Sequence, residues 1–300
     1  MTSPEVVGVD VGGTKATAVR IGTDAAVRAR SSVETPADDV AGVLDAMRGV
    51  AAAVMDPAVV AAGIGAAGLV ETASGRLRFA PNIAWRDVDL PAALVTLGVP
   101  VVADNDCTAA TFGEHRAGAA RGLDDVVYVG VGTGIGGGIV SAGRILRGAN
   151  GFAGEIGHIV VEPGGIVCGC GNRGCWETVA SGSAVTRLGR ERLDPSIDGY
   201  GVAAAAHDGD QVARKILSEV GHRLGQGIAG LVNVLDPTIV VLGGGAVAGA
   251  GDFLLQPARA ALDGAVEGGE FRPAVPLVPA ALGRDGAAIG AALWALEESA

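Results

Sequence analysis

The feature that most restricts how this chain can fold is a strand–glycine loop–strand unit that occurs twice. Residues 6–21 read VVGVDVGGTKATAVRI and residues 126–143 read VVYVGVGTGIGGGIVSAG, about 120 residues apart. Each is a β-branched run, a Gly/Thr-rich break and a second apolar run. Two such units predict two related lobes that face a shared ligand. The rest of the chain agrees with an α/β class, because strands alternate with helices. Val40, Val43, Leu44, Met47, Val50 and Val54 fall at helical spacing within 38–54. Residues 59–65 and 99–105 read as strands, and 106–117 as a helix capped by Asn105 or Asp106. A long helix over 211–235, a buried strand over 238–242 and a final helix over 285–298 complete the pattern. A length of 300 residues is enough for two domains and a sizeable core.

Glycine, 50 of 300 residues, follows no collagen period and points to turns and to backbone that approaches ligands. In Asp10-Val11-Gly12-Gly13-Thr14-Lys15 an acidic residue ends a strand, and the glycines after it bare N–H groups that can cradle phosphate oxygens. Asp10 is placed to hold a nucleotide's Mg²⁺. The spacing is not that of a Walker loop, and GTGIGGG (132–138) does not open a helix as a dinucleotide fingerprint must. For either loop alone, a plain hairpin turn with glycine at positive φ is an equal reading. Both loops together, with Gly243, Gly244 and Gly245 as a third, favour phosphate.

Glu155-Ile156-Gly157-His158, Cys168-Gly169-Cys170 and Cys175-Trp176-Glu177 carry the most specific chemistry. One His and three Cys make a complete tetrahedral zinc set, hence a closed structural site. The alternative, buried small hydrophobes, suits poorly a segment punctuated by Pro163, Gly164, Gly165, Gly169, Gly171 and Gly174. Glu155 and Glu177 flank the ligands and would accept hydrogen bonds from a polyhydroxyl substrate. Asp106, at a strand end, is either a helix cap or a base that accepts a hydroxyl proton. His115, His207 and His222 sit in polar helical contexts without partners at ligand spacing, and Cys107 reads as a buried thiol.

A net charge of −11 with no basic run argues against nucleic-acid and anionic-membrane partners, and 3% aromatic residues against base stacking. The N-terminus shows no basic stretch followed by an apolar one, so a cytoplasmic location is expected.

Taken together, DVGGTK (10–15), PNIAWRD (81–87), DND (104–106), VGTGIGGGIV (131–140), GEIGH (154–158), CGCGNRGCWE (168–177) and VNVLDPTIVVLGGG (232–245) resemble the ROK family of sugar kinases and repressors. Within it, the chain is most similar to bacterial ATP-dependent glucokinases, from Val6 to about Ala295. The resemblance implies a two-lobed actin-like ATPase (ribonuclease H-like) fold with a central cleft and a structural zinc loop. Its lobes would be residues 1–108 with the final helix 286–300, and residues 109–285. It implies phosphorylation of glucose at the 6-hydroxyl with ATP and Mg²⁺, with Asp106 as general base. Gly68, Asn82, Asn105, Asp106, Glu155, His158 and Glu177 would hold the sugar. Gly12, Gly13, Thr14, Lys15, Thr133 and Gly134 would meet the phosphates, with Gly243 to Gly245 near the adenosine. His158, Cys168, Cys170 and Cys175 would bind zinc. Members are commonly dimers or dimers of dimers. One departure stands out: where the family usually has Ala-Asn after Asn-Asp, this chain has Cys107-Thr108. Mannose or an N-acetylated hexosamine is the alternative acceptor. Polyphosphate is disfavoured as donor, since relatives that use it lack the Cys cluster. Nine residues before Asp10 leave no room for a repressor's DNA-binding domain.

Overall fold

The computed structural model describes residues 3–36, 38–80 and 85–299. The chain forms two compact units, Met1–Asp124 with Gly138–Gly154 and Ala280–Ala300, and Asp125–Gly137 with Glu155–Pro279. These units cut the chain at other places than the lobes expected at 108/109.

The first unit begins with an antiparallel meander of β1 (Glu5–Val11), β2 (Lys15–Gly22) and β3 (Val27–Glu34). Helix α1 (Val40–Ala53), capped by Asp39, crosses to β4 (Val59–Ala66), which lies parallel to β1. A small antiparallel sheet of β5 (Leu69–Glu71), β6 (Arg76–Phe79) and β7 (Arg86–Asp89) follows. The short helix α2 (Leu90–Ala93) then leads to β8 (Val101–Asn105), parallel to β4, and β8 runs directly into α3 (Asp106–Ala117). The main sheet has the order β3-β2-β1-β4-β8. Its parallel part is buried on both faces, so β1 and β4 read as continuous apolar runs. Val7, Val9 and Val11 pack with Val43, Met47 and Val50 of α1 on one face.

The second sheet is built from β9 (Val126–Val131), β10 (Ile135–Ser141), β11 (Arg144–Ile145), β12 and β13. Between β11 and β12 come the loop that carries His158 and the three clustered cysteines, α4 (Glu177–Ala180), α5 (Gly182–Arg192), α6 (Gly199–His207) and α7 (Gln211–Leu235). Strand β12 (Ile239–Gly243) precedes α8 (Gly245–Ala250) and α9 (Asp252–Ala265), and β13 (Leu277–Pro279) closes the sheet. The order is β11-β10-β9-β12-β13, with β9, β12 and β13 parallel. Third, second, first, fourth, fifth: both main sheets use the same sequence of strands, so the duplicated motif is also a duplicated topology. Helix α7 buries Ile216, Val220, Leu224 and Ile228, one stripe at four-residue spacing, in the core of this unit.

The last element, α10 (Gly286–Glu298), belongs to the first unit. Ala288, Ile289 and Ala292 cover Val6, Val19 and Ile21 on the sheet face opposite α1. The approach is close enough to dictate residue type. A Cβ at Gly63 would lie 1.9 Å from the Ala291 carbonyl oxygen, and one at Gly8 would lie 1.8 Å from that of Ala288. Helix α3 packs beside α10 with the same sheet, which is why residues 109–117 belong to the first unit. Among the described residues, no helix is long and apolar enough to cross a membrane.

Candidate active site

In the first unit, β1 and β8 deliver two carboxylates to one locality because their parallel register, through Gly65 of β4, aligns Asp10 with Asp104. The pKa of Asp10 is raised to about 7, chiefly by burial and next by the Asp106 charge, with Lys15 opposing both. Burial also pushes the Asp106 carboxyl above its usual range, against the Cys107 N–H, which donates to its Oδ1 at 2.8 Å. Asn105 caps α3: its Oδ1 accepts from the N–H groups of Cys107 (2.8 Å) and Thr108 (3.0 Å). Its Nδ2 donates to the Gly68 carbonyl at 3.1 Å. Gly68, Asn105 and Asp106 are thus brought together. Asn82 lies outside the described residues.

Both glycine loops have hairpin form. Gly12 N donates to Lys15 O and Gly132 N to Gly134 O, each at 3.0 Å, and Thr35 Oγ1 donates to Gly12 O at 2.9 Å. Positive φ is not the reason for glycine at either position, since neither Gly12 nor Gly132 adopts it. A Cβ at Gly12 would meet nothing nearer than Lys15 O at 3.9 Å, and one at Gly132 nothing within 4 Å. The space a side chain would fill is open, as an anion reaching the backbone requires. Thr14 stands exposed at the tip of the first turn.

Other glycines in the motifs are explained by packing. A Cβ at Gly134 would lie 2.3 Å from Glu177 Oε2, and that oxygen accepts from Ile135 N at 3.3 Å. A Cβ at Gly243 would strike the Tyr128 hydroxyl at 2.0 Å. Gly244 has φ +94° and lies against Val131 O. Next to Gly245 is the Tyr200 hydroxyl, an exposed aromatic that the sequence reading missed. An aromatic residue in the first turn of α6 carries no local sign of what it will cover.

In the second unit, His158, Cys168, Cys170 and Cys175 come together with one ligand atom each within 4.8 Å of the others. Cys168 Sγ is 3.6 Å from His158 Nδ1, and Cys170 Sγ is 3.7 Å from Cys175 Sγ; all are free cysteines. Short backbone bridges, Val160 with Cys175 and Val167 with Arg173, shape the loop, and Cys168 N donates to Asn172 O at 2.8 Å. Burial pushes the Cys168 thiol up, and it donates to Glu177 Oε1 at 2.9 Å. The donor set is consistent with a closed zinc site. The second ring nitrogen of His158, Nε2, is 3.7 Å from Glu155 Oε2, so the ring joins the cysteine cluster to Glu155.

Two minor expectations need correction. His115 is buried, not in a polar context, because α3 is covered by α10, and its Nε2 meets Leu123 O at 3.0 Å. Cys107 is only partly buried, since it occupies the first turn of α3 at the strand end.

Known proteins are similar to this chain over most of its length. The ROK family profile matches residues 6–298. A glucokinase from Streptomyces coelicolor is 36% identical, covering 97% of this chain and 97% of its own. The N-acetylmannosamine kinase of Escherichia coli O157:H7 is 34% identical, over 79% of this chain and 81% of its own. The crystal structure of a ROK family glucokinase from Streptomyces griseus, in complex with glucose and AMPPNP, superimposes with a TM-score of 0.91 at 37% identity, covering 98% of this chain and 99% of that one.

Proposed function

The chain belongs to the ROK family, and from that premise we propose that it is a sugar kinase that transfers the γ-phosphoryl group of ATP to the 6-hydroxyl of glucose. The observation that carries this reading is Asp106: a carboxyl at the strand–helix junction, raised in pKa by burial and adjoining Asn105, which is tied to Gly68. As the sugar O6 attacks the γ-phosphorus, its proton passes to the Asp106 carboxylate, and the bond to the β-phosphate oxygen breaks to release ADP. A carboxylate with a raised pKa is a better proton acceptor near neutrality than an ordinary one. Asn82, Asn105, Glu155, His158 and Glu177 are assigned to the sugar hydroxyls, and Gly12 to Lys15, Thr133 and Gly134 to the phosphates. Gly243 to Gly245 are assigned to the neighbourhood of the adenosine.

Asp10 suits a divalent cation, because a positive charge there would offset the repulsion from Asp106 that raises its pKa. Mg²⁺, when bound, neutralises charge on the transferring phosphoryl group. Zinc at His158, Cys168, Cys170 and Cys175 would hold the thiols as thiolates. Cys168 would then no longer donate to Glu177, leaving Oε1 to accept from a sugar hydroxyl, while His158 Nε2 and Glu155 remain for others. The kinship with N-acetylmannosamine kinase supports a second acceptor class, hexoses altered at the 2-position. An ADP-release assay with glucose, mannose and N-acetylmannosamine decides between them. Turnover with none of the three would overturn the kinase reading.

A further inference from the structure

Beside the proposed base lies an ion pair that the reaction itself does not use. Asp104 is completely inaccessible to solvent. Its Oδ2 accepts from Arg147 Nε at 3.0 Å, and its Oδ1 accepts from Asn105 N at 2.8 Å. The Arg147 guanidinium in turn lies 4.8 Å from the centre of the Trp294 ring, on α10. Arg147 follows β11, 43 residues beyond Asp104, so a distant segment of the first unit is pinned to the end of β8.

The geometry points to Asp104 and Arg147 as a positioning pair for Asp106, holding the peptide between residues 104 and 105, one residue before the base. This inference rests on the reading of Asp106 as base. The physical argument concerns the cost of an uncompensated charge. A carboxylate removed from water needs a partner. Asp104 has one charged partner and one backbone N–H among its described hydrogen bonds. Without the guanidinium, the carboxylate must draw in water, take a proton or turn away, and each response disturbs its bond to Asn105 N. Asn105's own side chain is secured independently by Cys107, Thr108 and Gly68. Asp106 has no such second anchor to a neighbouring element among its described hydrogen bonds; its carboxylate is held by Cys107 N. The disturbance should therefore reach the orientation of the base more than the sugar contacts, and small misplacements of a reacting group are costly in rate.

The test is a cycle of variants in the full-length protein, with zinc content and circular dichroism checked for each. Arg147→Met should lower kcat with glucose and ATP about tenfold or more, with the glucose dissociation constant changed by less than about threefold. Arg147→Lys, which keeps the charge, should recover part of the loss. Asp104→Asn combined with Arg147→Met removes both charges while keeping an oxygen for Asn105 N. It should turn over faster than Arg147→Met alone, because pair removal leaves no buried charge. If Arg147→Met does not fold, the combined variant and Arg147→Lys still carry the test. An unchanged kcat in Arg147→Met, or a combined variant no better than the single one, would overturn the proposal. Asp106→Asn is measured alongside. If it retains full turnover, the base reading falls; if it loses turnover while Arg147→Met does not, only the positioning pair falls.

Discussion

Replacing Asp10 by Asn should stabilise the ligand-free protein while destroying its proposed nucleotide site, and the stabilisation should depend on pH. Folding raises the pKa of Asp10 from 3.8 to about 7, chiefly by burial and then by the charge of Asp106. Folded Asp10 therefore holds its proton where the unfolded chain has released it. Between about pH 4 and pH 7 the native state binds more protons than the unfolded one, so stability falls as pH rises through that window. Well above pH 7, the ionised carboxylate costs the fold about 4 kcal/mol relative to its protonated form. At about pH 5 most of the native population keeps the proton, and the cost is only about 1–2 kcal/mol. Asn has the shape of the protonated acid without its titration. The free-energy gain of Asp10→Asn over wild type should thus be about 2–3 kcal/mol larger at about pH 8 than at about pH 5. Asp104, also raised by burial, titrates in both proteins and largely cancels in the difference. Urea unfolding followed by tryptophan fluorescence, in buffer free of divalent cations, measures the gain at each pH. Stability curves for the two proteins that run parallel from about pH 5 to pH 8 would refute the reasoning.

Four further outcomes are expected. Asp106→Asn should keep glucose binding, by calorimetry, and lower kcat by about 10²–10⁴; wild-type turnover would remove the base assignment. Cys170→Ser should lose stoichiometric zinc by metal analysis and weaken glucose binding strongly, while binding of a non-hydrolysable ATP analogue changes much less; unchanged glucose affinity in the zinc-free variant would leave the loop a structural staple only. Gly63→Ala should destabilise the protein by about 3 kcal/mol or more in chemical unfolding, since its methyl would meet the Ala291 carbonyl of α10. Gly49→Ala, in the middle of α1 with nothing within 4 Å of the added carbon, should instead stabilise it by about 0.5–1 kcal/mol.

The comparison of expectation with structure separates along the range of the forces involved. Helices over 40–53, 211–235 and 286–298 were legible because a repeating apolar stripe is a local property of the chain. The Cys₃His cluster was legible for a related reason. His158, Cys168, Cys170 and Cys175 lie within one short, glycine-punctuated loop, so spacing alone limits where their side chains can go. The alternative reading of the two glycine loops, plain hairpins with glycine at positive φ, holds in part. The loops are hairpins, but Gly12 and Gly132 serve open space and not positive φ, and only the backbone conformation distinguishes the two.

The sequence by itself determined the α/β class, the duplicated strand–loop–strand unit, the Cys₃His set and the capped start of α3 at Asn105. The tertiary structure alone decided which charged groups lose their water. Asp104 and Arg147 are 43 residues apart, and nothing in DND or in RILRG announces that one will be sealed beneath the other. The same holds for Glu114, whose carboxylate accepts from Ala119 N, Ala281 N and Leu282 N and so joins α3 to the segment leading into α10. It holds too for Gly243, reserved for the Tyr128 hydroxyl of β9. Propensity and periodicity act over a few residues, whereas desolvation is set by every segment that packs around a group. The pKa of Asp10 is therefore a property of β1, β8 and their neighbours together, and it came into existence only when the chain closed around it.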